Sequence, residues 1–175
     1  ILFLGIQLSG KSTLVKNISE IEKILVVSID DVRLSLYNRL SGPKDWVDEK
    51  SSKLYNSQTR NAYDHLFEIV RCFLSRGLSL AVEMPHLGDR ENLLKEIIAE
   101  TNANLKTIWC HISQDSDEEI QKRITSRQKD AAPIRLEDYR MFKAKIKKPE
   151  IECLLVDTSQ PPEQCLRDIK FYLSS

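Results

Sequence analysis

Neither sign of charge prevails: 26 Lys and Arg stand against 26 Asp and Glu in 175 residues. No global field therefore draws the chain to DNA or to an anionic bilayer, and any such attraction must come from a local patch. Glycine and proline are scarce, at five and six, beside 41% hydrophobic and 30% charged residues. That balance excludes disorder, a collagen-like repeat and a mucin-like stalk, and it supplies enough apolar material for a sizeable core. No CxxC pair occurs among Cys72, Cys110, Cys153 and Cys165. Their separations suit neither a zinc module nor a small secreted disulfide scaffold, so reduced thiols in a cytoplasmic protein are expected. No apolar run approaches the roughly 18 residues of a membrane-spanning helix, and Ile1-Leu2-Phe3-Leu4 is too short for a signal-peptide core. Internal repeats and low-complexity stretches are also missing. The opening residue is not Met, which raises the expectation of a domain excised from a longer chain. The 175 residues themselves match one domain.

What is present is an alternation of short apolar runs with longer helical patterns, the arrangement that predicts βαβ units and a parallel sheet. Strands are expected at Ile1–Leu4, Ile24–Ile29, Leu78–Glu83, Leu105–His111 and Ile151–Asp157, each apolar enough to be buried on both faces. Helical spacing covers Lys11–Ser19, Asp31–Leu40, Asp48–Ser75, Asp89–Thr101, Asp117–Arg127, Leu136–Lys147 and Pro162–Leu173, several opening on an acid that suits a helix N-terminus. Ser41-Gly42-Pro43 and Ala131-Ala132-Pro133 are breakers.

The first strand runs into Gly5-Ile6-Gln7-Leu8-Ser9-Gly10-Lys11-Ser12, a G-x-x-x-x-G-K-[ST] phosphate loop between strand and helix. Glycines at 5 and 10 let the chain curl so that backbone N–H groups, including that of Ser9, face a di- or triphosphate, and the helix N-terminus adds partial positive charge. Lys11 supplies the cation. Ser12 is placed to ligate Mg²⁺ between the β- and γ-phosphates, and Thr13 steadies the helix start. A dinucleotide fold would need G-x-G-x-x-G, and Gln7 stands where its second glycine belongs.

At the end of the second strand, Asp30-Asp31-Val32-Arg33 falls where a doubly wound sheet opens its ligand crevice. Asp30, read as the last strand residue, could accept a proton from an attacking hydroxyl, and Arg33 could hold an anionic group of the substrate. A plain helix N-cap explains either acid as well. Leu80-Ala81-Val82-Glu83 reads as a strand whose terminal acid holds Mg²⁺ directly or through water. Arg90 opens the next helix and is read as facing the acceptor, whereas His86 reads as a solvated loop residue. From Lys122 to Lys148 ten basic residues face three acids. Arg123 and Arg127, four apart, are expected on one helical face before a break, as a lid over the phosphates requires. Asp157-Thr158-Ser159-Gln160 could flank a nucleotide base, although a simple loop explains it equally. No Asn-Lys-x-Asp motif for guanine is present. A nucleotide-dependent switch or assembly ATPase stays open beside a kinase.

Together Gly5–Thr13, Asp30-Asp31-x-Arg33, Glu83 with Arg90, and Arg127-Gln128-Lys129-Asp130-Ala131-Ala132-Pro133-Ile134 leading into Tyr139-Arg140-Met141-Phe142 resemble the P-loop kinases of the polynucleotide 5′-hydroxyl kinase type, with zeta toxins and chloramphenicol phosphotransferase as relatives. The resemblance covers Ile1 to about Pro149. It implies a three-layer α/β/α P-loop fold, a five-stranded parallel sheet in the order 2-3-1-4-5 and a helical lid near 123–135. It also implies ATP and Mg²⁺ as cofactors and a hydroxyl acceptor, first the 5′ end of RNA or DNA, with a nucleoside or other small metabolite as the alternative. In its terms Lys11 and Ser12 bind phosphate, Asp30 is the general base, Arg33 binds a substrate phosphate and Arg127 contacts the transition state. Two departures stand out. Gln7-Leu8-Ser9 replaces the Pro-Gly-Ser interior usual in these kinases, and Glu83, followed by Met84-Pro85, stands where the polynucleotide kinases have Asp followed by polar residues.

Overall fold

The computed structural model describes residues 1–38, 49–127 and 134–175. Five short strands, β1 (Leu2–Leu4), β2 (Leu25–Ser28), β3 (Leu80–Glu83), β4 (Thr107–His111) and β5 (Leu154–Asp157), form one sheet in the order β2-β3-β1-β4-β5. All four pairings are parallel, with Leu2 beside both Val82 and Thr107, and Ser28 beside Glu83. The sheet thus has the expected strand order.

Side-chain alternation sorts the core into two layers, because successive residues of a strand point to opposite faces. Leu2, Leu4, Leu80 and Val82 face helices α2 (Ile29–Tyr37), α3 (Glu49–Leu74) and α4 (Glu91–Thr101), packing with Val32, Leu66, Phe67 and Ile97. Phe3, Ala81, Ile108 and Cys110 face α1 (Lys11–Glu22) and α7 (Pro162–Ser174), against Val15, Ile18 and Ile169. Phe3, Ile18, Ile108 and Ile169 are fully buried, and each such side chain contributes about 1.5–3 kcal/mol of transfer free energy. A third cluster caps the carboxyl end of the sheet. It joins Ile6 and Ile112 to Ile120 of α5 (Asp117–Ser126) and Tyr139 of α6 (Leu136–Lys145), together with Ile134.

Burial on both faces holds for the inner strands but not for the edges: Leu25 is 57% and Leu155 54% exposed. An edge strand of a five-stranded sheet lacks a neighbour on one side, so its apolar run is only partly covered. Helix limits also shift. α1 continues to Glu22 and ends where Lys23 turns left-handed. α2 begins two residues before Asp31, because the Ser28 hydroxyl caps it by accepting the Asp31 amide at 3.0 Å. Asp30 therefore lies in the first turn of a helix rather than at the end of a strand, and the cap is neither acid. α4 starts at Glu91 after a single 3-10 turn, Gly88–Arg90, so Arg90 precedes the helix. Both predicted breakers, and residues 128–133 of the proposed lid, fall outside the described residues. All four cysteines are unpaired, and burial pushes the Cys110 thiol up to about 12. No helix among the described residues is long and apolar enough to cross a membrane.

Candidate active site

The chain leaves β1 at Leu4, curls through residues 5–10 and enters α1 at Lys11. Two left-handed glycines make this possible. Gly5 has φ +140°, and a Cβ there would sit 2.2 Å from the Cys110 carbonyl oxygen of the neighbouring strand; Gly10 has φ +76° against the Thr158 side chain. Leu8 is also left-handed, at φ 68°, a conformation costing about 1–2 kcal/mol outside glycine. Its side chain packs on the third core cluster. Gly5→Ala combines a backbone clash with an unfavourable φ. It is expected to lower unfolding free energy by on the order of 3 kcal/mol, as chemical denaturation would measure.

Lys11 is buried, 8% exposed. Its Nζ donates to the Ile6 carbonyl at 3.3 Å and lies 4.0 Å from Glu83 Oε1. The Ser12 hydroxyl donates to the same Glu83 oxygen at 2.5 Å. Loop cation, hydroxyl and strand acid thus converge at one point, as the parallel register of β1 with β3 demands: Phe3 sits beside Glu83. Thr13 is exposed in the first turn of α1.

Two polar atoms around this point are buried and lack a hydrogen-bond partner among the described residues, Ser9 Oγ and Arg127 Nη1. α5 ends at Ser126, and Arg127 leaves it extended, with φ −64° and ψ 142°. Its side chain is not on a helical face shared with Arg123, contrary to the sequence spacing. Burial lowers the Arg127 guanidinium pKa, while the nearby Asp30 and Glu83 carboxylates oppose the shift. Orphaned donors (a hydroxyl and a guanidinium N–H), a buried ammonium and a Ser–Glu pair suit an anionic polyphosphate accompanied by Mg²⁺. Among the described residues no cluster of three or more His, Cys, Asp or Glu is arranged for a metal, so Ser12 and Glu83 would hold the ion jointly with phosphate oxygens and water.

Arg123 lies on the other side of the loop. Its Nε donates to Glu119 at 2.7 Å, its Nη1 to the Leu8 carbonyl at 3.2 Å and to Thr158 Oγ1 at 3.1 Å, and its Nη2 to the Thr158 carbonyl at 2.7 Å. It is tied to the phosphate loop and the β5–α7 loop instead of being poised in a lid. Asp157 orders the same loop by accepting from the Ser113 amide at 3.0 Å, the Ser113 hydroxyl at 2.5 Å and the Ser159 amide at 3.0 Å. Burial alone would raise the Asp157 carboxyl; the hydrogen bonds from Ser113 and Ser159 outweigh it and hold it well below the usual carboxylate range. A depressed folded-state pKa stabilises above the unfolded value, about 3.9, and that stability is lost as pH falls through the folded value. Asp157→Asn is therefore expected to flatten the loss of melting temperature below about pH 4, and an unchanged acid limb would contradict this.

The helix that carries Asp30 and Arg33 packs on α3, whose contribution the sequence reading missed. Tyr55, Thr59 and Tyr63 recur every four residues, a spacing that puts them on one face. Arg33 donates to Thr59 Oγ1 at 2.8 Å and Tyr55 Oη at 3.4 Å, stacks over the Tyr55 ring at 5.4 Å and lies 3.8 Å from Asp30 Oδ1. Arg90 stacks over the Tyr63 ring at 4.7 Å, with Asp89 at 3.0 Å and Asp64 at 3.6 Å. The Tyr63 hydroxyl donates to the His86 carbonyl at 3.4 Å; burial raises this phenol's pKa and lowers that of the His86 imidazole, which also feels Arg90. His86 is thus packed against Tyr63 rather than solvated.

A family model described as AAA domain (AAA_33) matches residues 1–149. Among solved structures, the chain is similar to a proposed kinase from Chloroflexus aurantiacus j-10-fl, at 18% identity and TM-score 0.69, covering 98% of this chain and 96% of that one. A sugar kinase from Janibacter sp. HTCC2649 is similar at 14% identity and TM-score 0.66, over 99% and 92% of the two chains. A gluconokinase from Sinorhizobium meliloti 1021 is similar at 15% identity and TM-score 0.63, over 99% and 90%. Among curated proteins no sequence matches. The extent of the family match, which takes in the phosphate loop, Glu83 and Arg127, establishes that the chain belongs to the AAA_33 family of P-loop kinase domains.

Proposed function

We propose that the protein is an ATP- and Mg²⁺-dependent kinase that moves the γ-phosphoryl group to a hydroxyl acceptor. The observation that carries this reading is Arg127, held beside Asp30 and Glu83 with a buried N–H lacking a partner among the described residues. Most buried donors of a folded protein are satisfied, so an N–H left open beside two carboxylates is available to an anionic ligand. The loop amides and Lys11 hold the polyphosphate. Ser12 and Glu83 are the side chains that would hold Mg²⁺, which would supply charge neutralisation to the polyphosphate. Asp30 orients the acceptor hydroxyl and accepts its proton as that oxygen attacks the γ-phosphorus and ADP departs. Arg127 offsets charge on the transferring group. Arg123, through Leu8 and Thr158, fixes the loops that border the base.

For the acceptor, the side of α3 facing Asp30 offers Arg33 and Arg90, each stacked on a tyrosine, so the acceptor carries an anionic or polar group beside its hydroxyl. We favour a small metabolite over the 5′-hydroxyl end of RNA or DNA. Four of the ten basic residues of the 122–148 segment are paired with acids: Arg123 with Glu119, Arg135 with Asp138, Arg140 with Asp117 and Lys143 with Asp115. A polynucleotide would need those cations for its phosphates. The sugar kinase and gluconokinase of similar fold are named for small acceptors. The deciding experiment is incubation with γ-labelled ATP and separate panels of sugar acids, other hydroxy acids, nucleosides and 5′-hydroxyl oligonucleotides. A labelled small product supports the reading; label on oligonucleotides alone overturns the acceptor assignment, and label on none of them overturns the kinase assignment for these classes.

A further inference from the structure

Leu8 keeps a glycine-like backbone, with φ 68°, although it carries a branched side chain. Two contacts hold it there. Its carbonyl accepts from Arg123 Nη1 at 3.2 Å, and its side chain packs on a cluster that includes Ile120, with Ile124 against the same cluster. Arg123, Ile120 and Ile124 all belong to α5, the helix whose last residue is Ser126 and which delivers Arg127 to the site. A glycine could form the backbone contact but not the apolar one.

We infer that Leu8 is a positioning residue, keying α5, and through it the Arg127 guanidinium, to the phosphate loop. The inference rests on the proposed phosphoryl transfer and adds a residue through which nucleotide seating and arginine placement become one event. The side chain packs on the cluster that Ile120 and Ile124 of α5 also join, so removing it loosens that cluster and frees α5 to shift while leaving the loop amides and Lys11 in place. A shift of about 1 Å in a catalytic group can cost on the order of 10²-fold in rate, although the phosphate contacts of the ground state would survive it.

The test uses calorimetric binding of Mg·ADP with and without aluminium fluoride, which stands in for the transferring phosphoryl group and needs no acceptor. Wild-type protein is expected to bind the fluoride complex at least about tenfold more tightly than Mg·ADP, reflecting Arg127. Leu8→Gly and Leu8→Asn both tolerate a left-handed backbone and remove the apolar contact. Each is expected to lose most of that gain while Mg·ADP affinity stays within about threefold, as expected for lost transition-state but not ground-state contacts. Leu8→Met, which can refill the cluster, recovers the gain. In an Arg127→Ala background, Leu8→Gly removes nothing more, because both act through one guanidinium. Full retention of the gain in a folded Leu8→Gly or Leu8→Asn protein overturns the inference, as does a further loss in the Arg127→Ala background. Failure of wild-type protein to gain affinity from fluoride overturns the phosphoryl-transfer reading itself, and this inference with it.

Discussion

Asp30→Asn is expected to lower phosphoryl transfer about 10²- to 10⁴-fold, the usual contribution of a positioned general base, while ATP affinity changes by less than about threefold. The separation follows from geometry. Lys11, Ser12 and Glu83 converge at the phosphate loop, whereas Asp30 lies in the first turn of α2, beside Arg33 at 3.8 Å. Its carboxylate is 54% exposed, so the amide loses a proton acceptor without leaving a buried hole. The pair is long at 3.8 Å and its acid half is exposed, so its loss should cost about 1 kcal/mol. Arg33 keeps Thr59 and Tyr55 in the variant. Single-turnover transfer and calorimetry on one preparation test both halves, and unchanged transfer removes Asp30 from the role of base.

Arg127→Ala is expected to lower kcat by about 10³-fold or more, in line with other arginines that meet charge on a transferring phosphoryl group. Arg127→Lys recovers little of it, because an ammonium cannot present the planar fork. Stability should move the other way. The native guanidinium is half-buried with a donor that no described residue accepts, and deleting such a group removes a desolvation cost rather than a bond. A melting temperature equal to or above wild type, together with the loss of rate, marks a residue held for chemistry. A fall in melting temperature with unchanged kcat would mark Arg127 as structural.

The phosphate loop was legible because its glycines, lysine and serine are contiguous and each answers a local demand. The strand order was legible only through the resemblance, since apolar runs predict strands but not neighbours. Asp30 was legible as a candidate while its setting was not. Ser28 is as good a cap as either acid, and one hydroxyl accepting the Asp31 amide moved the helix start back across Asp30. The direction of Arg123 is hidden for a related reason: helical spacing relates it to Arg127, but three oxygens from residues 8 and 158 determine where it points. Tyr55, Thr59 and Tyr63 carried a weak signal in their four-residue spacing. What they hold, Arg33 and Arg90, comes from α2 and from the turn after β3, and no local pattern links such distant segments.

The most direct test of the account is a crystal structure with Mg²⁺ and a nonhydrolysable ATP analogue. The account predicts β- and γ-phosphates seated on the amides of residues 9–13, Lys11 Nζ turned from the Ile6 carbonyl to a phosphate oxygen, and Arg127 Nη1 bonded to the γ-phosphate. An analogue bound elsewhere, or bound at the loop with Lys11 still on Ile6 and Arg127 still without a phosphate contact, would contradict it.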